Sequence, residues 1–456
     1  MVNRWIPDLS RFSGPKYLAI ADALTEAIDT GSLAPGDRLP PQRELADTLG
    51  FDLTTVTRAY EVARERGLTV GRGRAGSFVR DDRAAATSDP GQYDEAMNCP
   101  PLPVGKVLSS AFGDAVRSCM VNHADSVFHY QRPGGASHVR DAGAQLLSRI
   151  GLATDTDQTV VTAGGQNALH AVLATMVKPG DHIACGRFVY PGLKSLAQRM
   201  QLQLVPLREM TGDALEQLCQ EATIKAFYVV PTNDNPTTET LSSETRQQIA
   251  EVAERHNVQI IEDDAYGLLA SNPPPPIAGL LPARSWYIAS VSKAISPSLR
   301  VAFVRSPGVA QSMQLAAEMH ETTVMAPPIN AAVVAHWLRN GTFDKLVQGT
   351  RSEAAWRRTT AETILGADIF AAHPEGYHLW LPLPDAQTAS KLPVLMRNTG
   401  LGLVPSTGFA VGGPEDRSAI RVSLGGPIGR SALAAGLRTL DAFISSSERM
   451  SLDPFV

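Results

Sequence analysis

The chain has 456 residues, 43% hydrophobic and 19% charged, with a formal net charge of −5. That length exceeds one ordinary domain, and the charge excludes a polycation that grips nucleic acid along its whole length. No apolar run suits a signal peptide or membrane span, and Cys99, Cys119, Cys185 and Cys219 lack disulfide or zinc spacing, so a reducing cytoplasm and no membrane are expected.

In chain order, the first periodic segment is 15–30. Leu18, Ile20, Ala21, Leu24, Ala27 and Ile28 fall near one helical face, with Pro15 suited to its start and Gly31 to its end. Pro35-Gly36 reads as a turn. Pro40 and Pro41 open a second helix, from near Gln42 to Leu49, and Gly50 stops it. Asp52 or Thr54 caps a third helix, Thr55 to Arg66. Two short helices across a Gly-containing turn make a helix-turn-helix. Thr69-Val and Ser77-Phe-Val flank Gly71-Arg-Gly-Arg-Ala-Gly76, which reads as a β-hairpin wing. From Arg58 to Arg80 six arginines stand against two acids, Glu61 and Glu65. Arginines in a glycine hairpin suit phosphate or minor-groove contact. A small solvated domain that binds protein is the blander reading.

Gly36-Asp-Arg-Leu-Pro-Pro-Gln-Arg-Glu-Leu-Ala and Thr55-Val-Thr-Arg-Ala-Tyr resemble the GntR-type winged helix, over residues 15–80. The resemblance implies that Arg43, Thr54, Thr55, Thr57 and Arg58 face double-stranded DNA, and that the wing around Arg74 and Gly76 touches it. Ala63 stands where a leucine is more usual, a small packing change. The polar, aperiodic stretch after Asp81 reads as a linker. The expected division is a DNA-binding domain at 1–80, a linker at 81–95 and a second domain at 96–456.

From about 96 onward strands and helices alternate. Thr159-Val-Val-Thr, Asp181-His-Ile-Ala-Cys, Leu202-Gln-Leu-Val-Pro-Leu, Ala226-Phe-Tyr-Val-Val, Gln259-Ile-Ile-Glu and Trp286-Tyr-Ile-Ala are the strand segments. The rhythm predicts an α/β fold, a mostly parallel sheet with helices on both faces. Such sheets place ligands beyond the carboxyl ends of their strands. There Ala163-Gly-Gly-Gln-Asn167 leads into a helix whose free N–H groups form an anion site, although any tight strand-to-helix turn favours glycine. Tyr190 offers an aromatic face that could cover a pyridine ring. Asn235, held extended before Pro236, can donate to a ring hydroxyl. Asp263, in Glu262-Asp-Asp-Ala-Tyr266, would pair with a protonated pyridine nitrogen, although adjacent acids after a strand could be helix caps.

Ser290-Val-Ser-Lys-Ala-Ile-Ser-Pro-Ser-Leu-Arg300 follows a buried strand. A lysine there must pay desolvation or hold a partner. Pyridoxal phosphate (PLP) is such a partner, through a Schiff base. Ser290, Ser292 and Arg300 would supply hydroxyls and a guanidinium fork for its phosphate. A loop-capping lysine beside a surface arginine is the alternative.

In order and spacing these motifs resemble the aminotransferase class I, fold-type I PLP family over nearly all of 96–456. The resemblance implies a large domain with a smaller C-terminal subdomain. It implies Lys293 as the Schiff-base lysine, Asp263 as the pyridine partner, Asn235 and Tyr266 on the ring oxygen, and Tyr190 stacked on the ring. It places Gly165, Gln166, Ser290, Ser292 and Arg300 at the phosphate. Tyr130, in Tyr-Gln-Arg-Pro-Gly-Gly, matches a tyrosine that reaches the neighbouring subunit's phosphate, so a homodimer is implied. Arg421, in Ile-Arg-Val-Ser-Leu, matches the arginine that grips a substrate carboxylate. Gly165, Thr238 and the run Gly186-Arg-Phe-Val depart from the family pattern.

A winged helix joined to such a domain resembles the MocR subgroup of GntR regulators. That resemblance implies a PLP-dependent transcriptional regulator that senses an amino acid, an amine or PLP itself through aldimine chemistry at Lys293. An active aminotransferase with an accessory DNA-binding head stays open, because Lys293, Asp263 and Arg421 serve both.

Overall fold

In the computed structural model, which describes residues 5–12, 14–29, 32–33, 36–66, 68–71, 76–79, 94, 96–103, 107–412 and 418–452, the chain forms two units. One is Met1–Tyr93 with Val104–Val107, and the other is Asp94–Pro103 with Leu108–Val456.

The N-terminal unit follows its hydrophobic spacing. Helix α1 is Lys16–Asp29, with the Pro15 carbonyl accepting from the N–H of Leu18 (2.9 Å) and Ala19 (3.1 Å). Ile20, Ala21, Leu24 and Ala27 are buried on one face, as the period requires. Helix α2, Gln42–Leu49, ends on Gly50, whose φ of +66° is the left-handed stop that glycine adopts freely. Helix α3, Leu53–Glu65, takes Asp52 as its N-cap: the Asp52 carboxylate accepts from the Thr54 N–H at 2.8 Å. Of the two expected caps Asp52 is the real one, and Thr54 lies inside the helix. Ile20, Leu24, Leu45, Val56, Ala59 and Tyr60 form the core between the three helices, and the Tyr60 hydroxyl donates to the Pro40 carbonyl at 2.8 Å. Strands β1 (Thr69–Gly71) and β2 (Ser77–Val79) pair antiparallel, Thr69 against Val79, as a wing requires. Gly31 and Pro35 lie outside the described residues, as do the wing tip at 72–75 with Arg74 and nearly all of the expected linker at 81–95.

The larger unit is built on a seven-stranded sheet. Its strands are β3 (Thr159–Thr162), β4 (His182–Cys185), β5 (Gln203–Pro206), β6 (Ile224–Val229), β7 (Gln259–Asp263), β8 (Ser285–Ser290) and β9 (Ala302–Arg305), in the order β3-β9-β8-β7-β6-β4-β5. The pairs β5–β4, β4–β6, β6–β7 and β7–β8 are parallel. Strand β9, absent from the sequence reading, runs antiparallel between β3 and β8. Its short Ala-Phe-Val-Arg run follows Val301 directly after the lysine loop, so no helical crossover announces it. Strands β7 and β8 are buried almost throughout, since helices cover both sheet faces.

A second, antiparallel sheet has the order β10-β11-β13-β12: β10 (Ala371–Ala372), β11 (His378–Leu383), β12 (Gly402–Pro405) and β13 (Ser418–Ser423). Leu379, Leu381, Ile420 and Val422 pack against Leu433, Leu437 and Leu440 of the C-terminal helix Arg430–Leu452. This sheet is the smaller C-terminal lobe. Arg421 of β13 stands opposite Trp380 in the β11–β13 register.

Candidate functional site

The parallel strands end on one edge of the large sheet. Asp263 closes β7, Ser290 closes β8, and the turn after β3 carries Gly164 and Gly165. Because β9 runs the other way, its start brings Arg300 to the same edge. The cavity there is lined by Gly165, Gln166, Tyr190, Asn235, Asp263, Tyr266, Ser290, Ser292, Lys293 and Arg300. Met97, Tyr228, Val230, Ala265 and Pro297 complete the wall. Of the residues implied for the cofactor site, only Tyr130 is elsewhere. It is 86% exposed, close in sequence to Phe128, which is 68% exposed.

The anion end is set by close packing. Gly164 caps the helix Gly165–Met176 with φ +87°, and a β-carbon there would lie 2.9 Å from Cζ of Arg300. Only glycine allows that approach. Arg300 itself has φ +50°, and its Nη2 donates to the Ala163 carbonyl at 2.8 Å, which turns the guanidinium towards the helix N-terminus. The hydroxyls of Ser290 and Ser292 lie 2.7 Å apart. Two hydroxyls, a guanidinium and free helix N–H groups are the donor set that a phosphate needs.

The other end is buried and electrostatically tuned. Lys293 Nζ donates to the Asn98 carbonyl at 2.5 Å, and burial lowers its pKa to about 8. Burial pushes the Asp263 carboxyl up to about 6, against the hydrogen bond from the Tyr228 hydroxyl at 2.9 Å. The Asn98 amide donates to the Tyr266 hydroxyl at 2.7 Å, and the Asn98 Oδ1 accepts from Ser423 at 2.8 Å. His378 Nε2 donates to the Asp234 carbonyl at 3.0 Å, which leaves Nδ1 to accept from the Asn98 amide at 3.3 Å. Burial keeps this imidazole neutral by lowering its pKa to about 3. Tyr377 donates to the Lys293 carbonyl at 3.0 Å and so fixes the lysine backbone.

Arg421 is 3% exposed and reaches towards this cavity from β13. Its Nη1 donates to Asn235 Oδ1 at 3.4 Å, its Nη2 donates to the Ala96 carbonyl, and its Nε has no partner. Its guanidinium carbon lies 5.4 Å from the Phe409 ring centroid. A buried cation with an unused donor is prepared for an anion that the chain does not supply.

Asn98, Tyr228, Tyr377 and His378 were missed in the sequence. Tyr228, inside the expected strand Ala226-Phe-Tyr-Val-Val, carried the one available signal: a hydroxyl in a buried strand needs a partner. Asn98 lies far from Lys293 along the chain, and no local pattern marks it. Thr238, noted as a departure from a family glycine, has φ +66°. A β-branched residue there holds a strained conformation, so the turn keeps a glycine-like backbone without glycine.

In the N-terminal unit Arg43, Thr54 and Arg58 are exposed, Thr55 and Thr57 are half-buried. Thr57 donates to Gln42 Oε1 at 2.9 Å, which ties α3 to α2, and Arg58 lies over the Tyr17 ring at 4.3 Å. The Thr54 hydroxyl donates to the Asp52 cap at 2.6 Å. Gly76 has φ +103° and lies beside the Arg38 guanidinium.

Residues 96–432 match the model of aminotransferase class I and II, and residues 16–79 match that of bacterial regulatory proteins of the gntR family. The uncharacterized HTH-type transcriptional regulator YdeF of Bacillus subtilis (strain 168) is 31% identical over 446 residues, 96% of each chain. The chain belongs to the MocR-type HTH transcriptional regulators. This MocR-type regulator is also 26% identical to YdcR of Escherichia coli (strain K12), another uncharacterized HTH-type regulator, over 87% of this chain and 92% of that one. Among solved structures, the kynurenine aminotransferase of Pyrococcus horikoshii shares the fold with TM-score 0.70 and 21% identity, over 80% of this chain and 93% of that one. An archaeal alanine:glyoxylate aminotransferase gives TM-score 0.69 at 21% identity, over 77% and 90%. The body of this MocR-type regulator therefore has the aminotransferase fold, and its head is a gntR-family DNA-binding domain. Among the described residues no helix is long and apolar enough to cross a membrane.

Proposed function

We propose that this regulator binds PLP at Lys293 and couples an amino acid or amine effector to the DNA contacts of its head. The observation that carries this reading is the single cavity that gathers Lys293, Asp263, Tyr190, Asn235 and the Ser290–Ser292–Arg300 donors. The residues fit the group: Ser290, Ser292 and Arg300 gather phosphate donors where Gly164 leaves room beside the Arg300 guanidinium, and Asp263 and Tyr190 line the same cavity. Bound there, PLP supplies an aldehyde that condenses with amines and a pyridine ring that draws electrons.

The chain's own residues do the rest. Burial lowers the Lys293 pKa to about 8, so near neutral pH part of the amine is neutral and nucleophilic. Asp263, supported by Tyr228, would hold a proton against a ring nitrogen. Arg421 would grip the carboxylate of an effector, and its unused Nε leaves room for a second contact. An effector that joins Arg421 on the small lobe to the large lobe favours one arrangement of the two, which is the differential affinity that a switch needs. The exposed Tyr130 and Phe128 support a homodimer in which Tyr130 completes the neighbour's phosphate site. Two heads then present two winged helices to paired half-sites in an operator.

The test pairs two measurements on wild type, Lys293→Ala and Arg421→Ala: transamination over a panel of amines, and expression from a reporter operator. The expected result is a reporter response lost in both variants, with turnover far below about 1 per second. Fast turnover with an unchanged reporter overturns the reading and favours an enzyme with an accessory head.

A further inference from the structure

Beyond the carboxyl ends of β4, β5 and β6 lies a second cavity. It encloses about 410 Å³, against about 100 Å³ for the cavity at Lys293. Arg187, Phe188, Arg208, Glu209, Glu239 and Trp380 line it, and Tyr228 and Val230 border both cavities. Its wall joins the two lobes of the body. The Val189 N–H donates to the Phe409 carbonyl at 3.0 Å, and the Val411 N–H donates to the Arg187 carbonyl at 2.8 Å. Phe188 and Trp380 meet edge to face with centroids 5.1 Å apart, and Trp380 meets Phe409 the same way at 6.3 Å. One side of the cavity is therefore a fixed aromatic surface.

Its charges balance and stand unused. Among the described residues Arg187, Arg208, Glu209 and Glu239 make no ion pair. The other acid on the wall, Asp234, is already engaged: Thr237 donates to its Oδ2 from N–H at 3.3 Å and from the hydroxyl at 2.9 Å. Burial also pushes that carboxyl up to about 7, so it carries less than a full charge near neutrality. A simple anion would meet the two glutamates, and a simple cation the two arginines. A molecule with both charges and a flat ring satisfies all three features, and small-molecule sites combine apolar walls with a few polar groups in this way.

We propose that this cavity binds an aromatic α-amino acid, or a zwitterion of the same form, at a site separate from Lys293. The arginines take the carboxylate, the glutamates take the ammonium, and the ring packs on Phe188 and Trp380. The proposal does not depend on PLP chemistry, because no residue of the charged set lines the Lys293 cavity.

The test uses the full-length, PLP-loaded protein and N,N-dimethyl derivatives of phenylalanine, tyrosine and tryptophan. Their tertiary amines keep both charges but cannot condense with an aldehyde, so chemistry at Lys293 cannot capture them. Equilibrium dialysis should show one saturable site per chain, retained in Lys293→Ala and Arg421→Ala. The double variant Arg187→Gln/Arg208→Gln changes two exposed side chains and should weaken binding by roughly tenfold or more, the scale of a lost charge-assisted hydrogen bond. Phenylacetate and N,N-dimethylphenethylamine, each lacking one charge and neither able to condense with an aldehyde, should bind less tightly than the zwitterion. No saturable binding by any of the three up to about 1 mM overturns the proposal. So does equal binding by the double variant with an unchanged circular-dichroism spectrum, or binding that disappears with Lys293 or Arg421.

Discussion

The head and the body solve opposite problems. The head places its helix-borne DNA-facing candidates, Arg43 to Arg58, within one short stretch of a three-helix unit, with Arg74 and Gly76 of the wing following in sequence. The body draws its site from Asn98 to Arg421 and buries the polar centre of it, Asn98, Asn235, Asp263, Tyr266 and Arg421. In the head, helical period and caps decide where a side chain points, and Arg43 and Arg58 stand exposed to water. In the body, burial shifts Lys293 down to about 8 and Asp263 up to about 6, so tertiary structure sets the chemistry itself. Function read from an exposed surface survives as a motif, whereas function read from a buried site depends on partners distant in the chain.

The most severe break of this contrast is Lys293→Ala. It should abolish the visible absorption of covalently held PLP while operator binding by the head persists, since the head has its own core. Spectroscopy beside gel-shift titration checks it. Loss of both together would join the two regions into one cooperative unit.

Next in size is the pH response of the apo body. Asp263 is raised when folded, so the folded state binds the proton more tightly than the unfolded chain. Its contribution to stability is therefore fully present below about 4 and is lost as pH rises through about 6. Relative to Asp263→Asn, apo wild type should lose roughly 3 kcal/mol over that window, at about 1.4 kcal/mol per tenfold change in proton affinity. Urea unfolding of both proteins at a series of pH values reads it. A flat difference would mean that water reaches the carboxyl and that the body resembles the head.

For the head, Arg58→Ala should cost roughly 1–3 kcal/mol and relax preference at particular base pairs if α3 reads bases. Arg74→Ala should weaken all sequences about equally and flatten the salt dependence by roughly one phosphate. Operator and scrambled-sequence binding across salt separates the two. Uniform loss from both substitutions would leave α3 without a reading role.

The smallest effect concerns how the head aims that arginine. Arg58 lies over Tyr17 at 4.3 Å, an exposed cation–π contact worth about 0.5–1 kcal/mol. Tyr17→Ala should weaken operator binding by no more than that, with α3 intact by circular dichroism. A larger loss would show that even in the head a long-range packing contact sets function.

By itself the sequence determined the fold class, most element positions and ten of the fifteen residues that line the body's cavity. Gly50, Asp52 and the Pro15 start gave helix ends to within a residue or two, because caps are local chemistry. The strand segments that carry Gly165, Asn235, Asp263 and Ser290 were legible for a like reason: buried parallel strands are apolar runs, and their carboxyl ends share one edge. Tertiary structure alone decided the antiparallel strand β9, the Tyr228 support of Asp263, and Asn98 as the joint between Lys293, Tyr266, His378 and Ser423. It also decided the free Nε of Arg421 and the second cavity between the lobes. These are contacts between residues far apart in the chain. Short-range periodicity carries no record of them, because only packing brings the partners together and only burial makes the pairing matter.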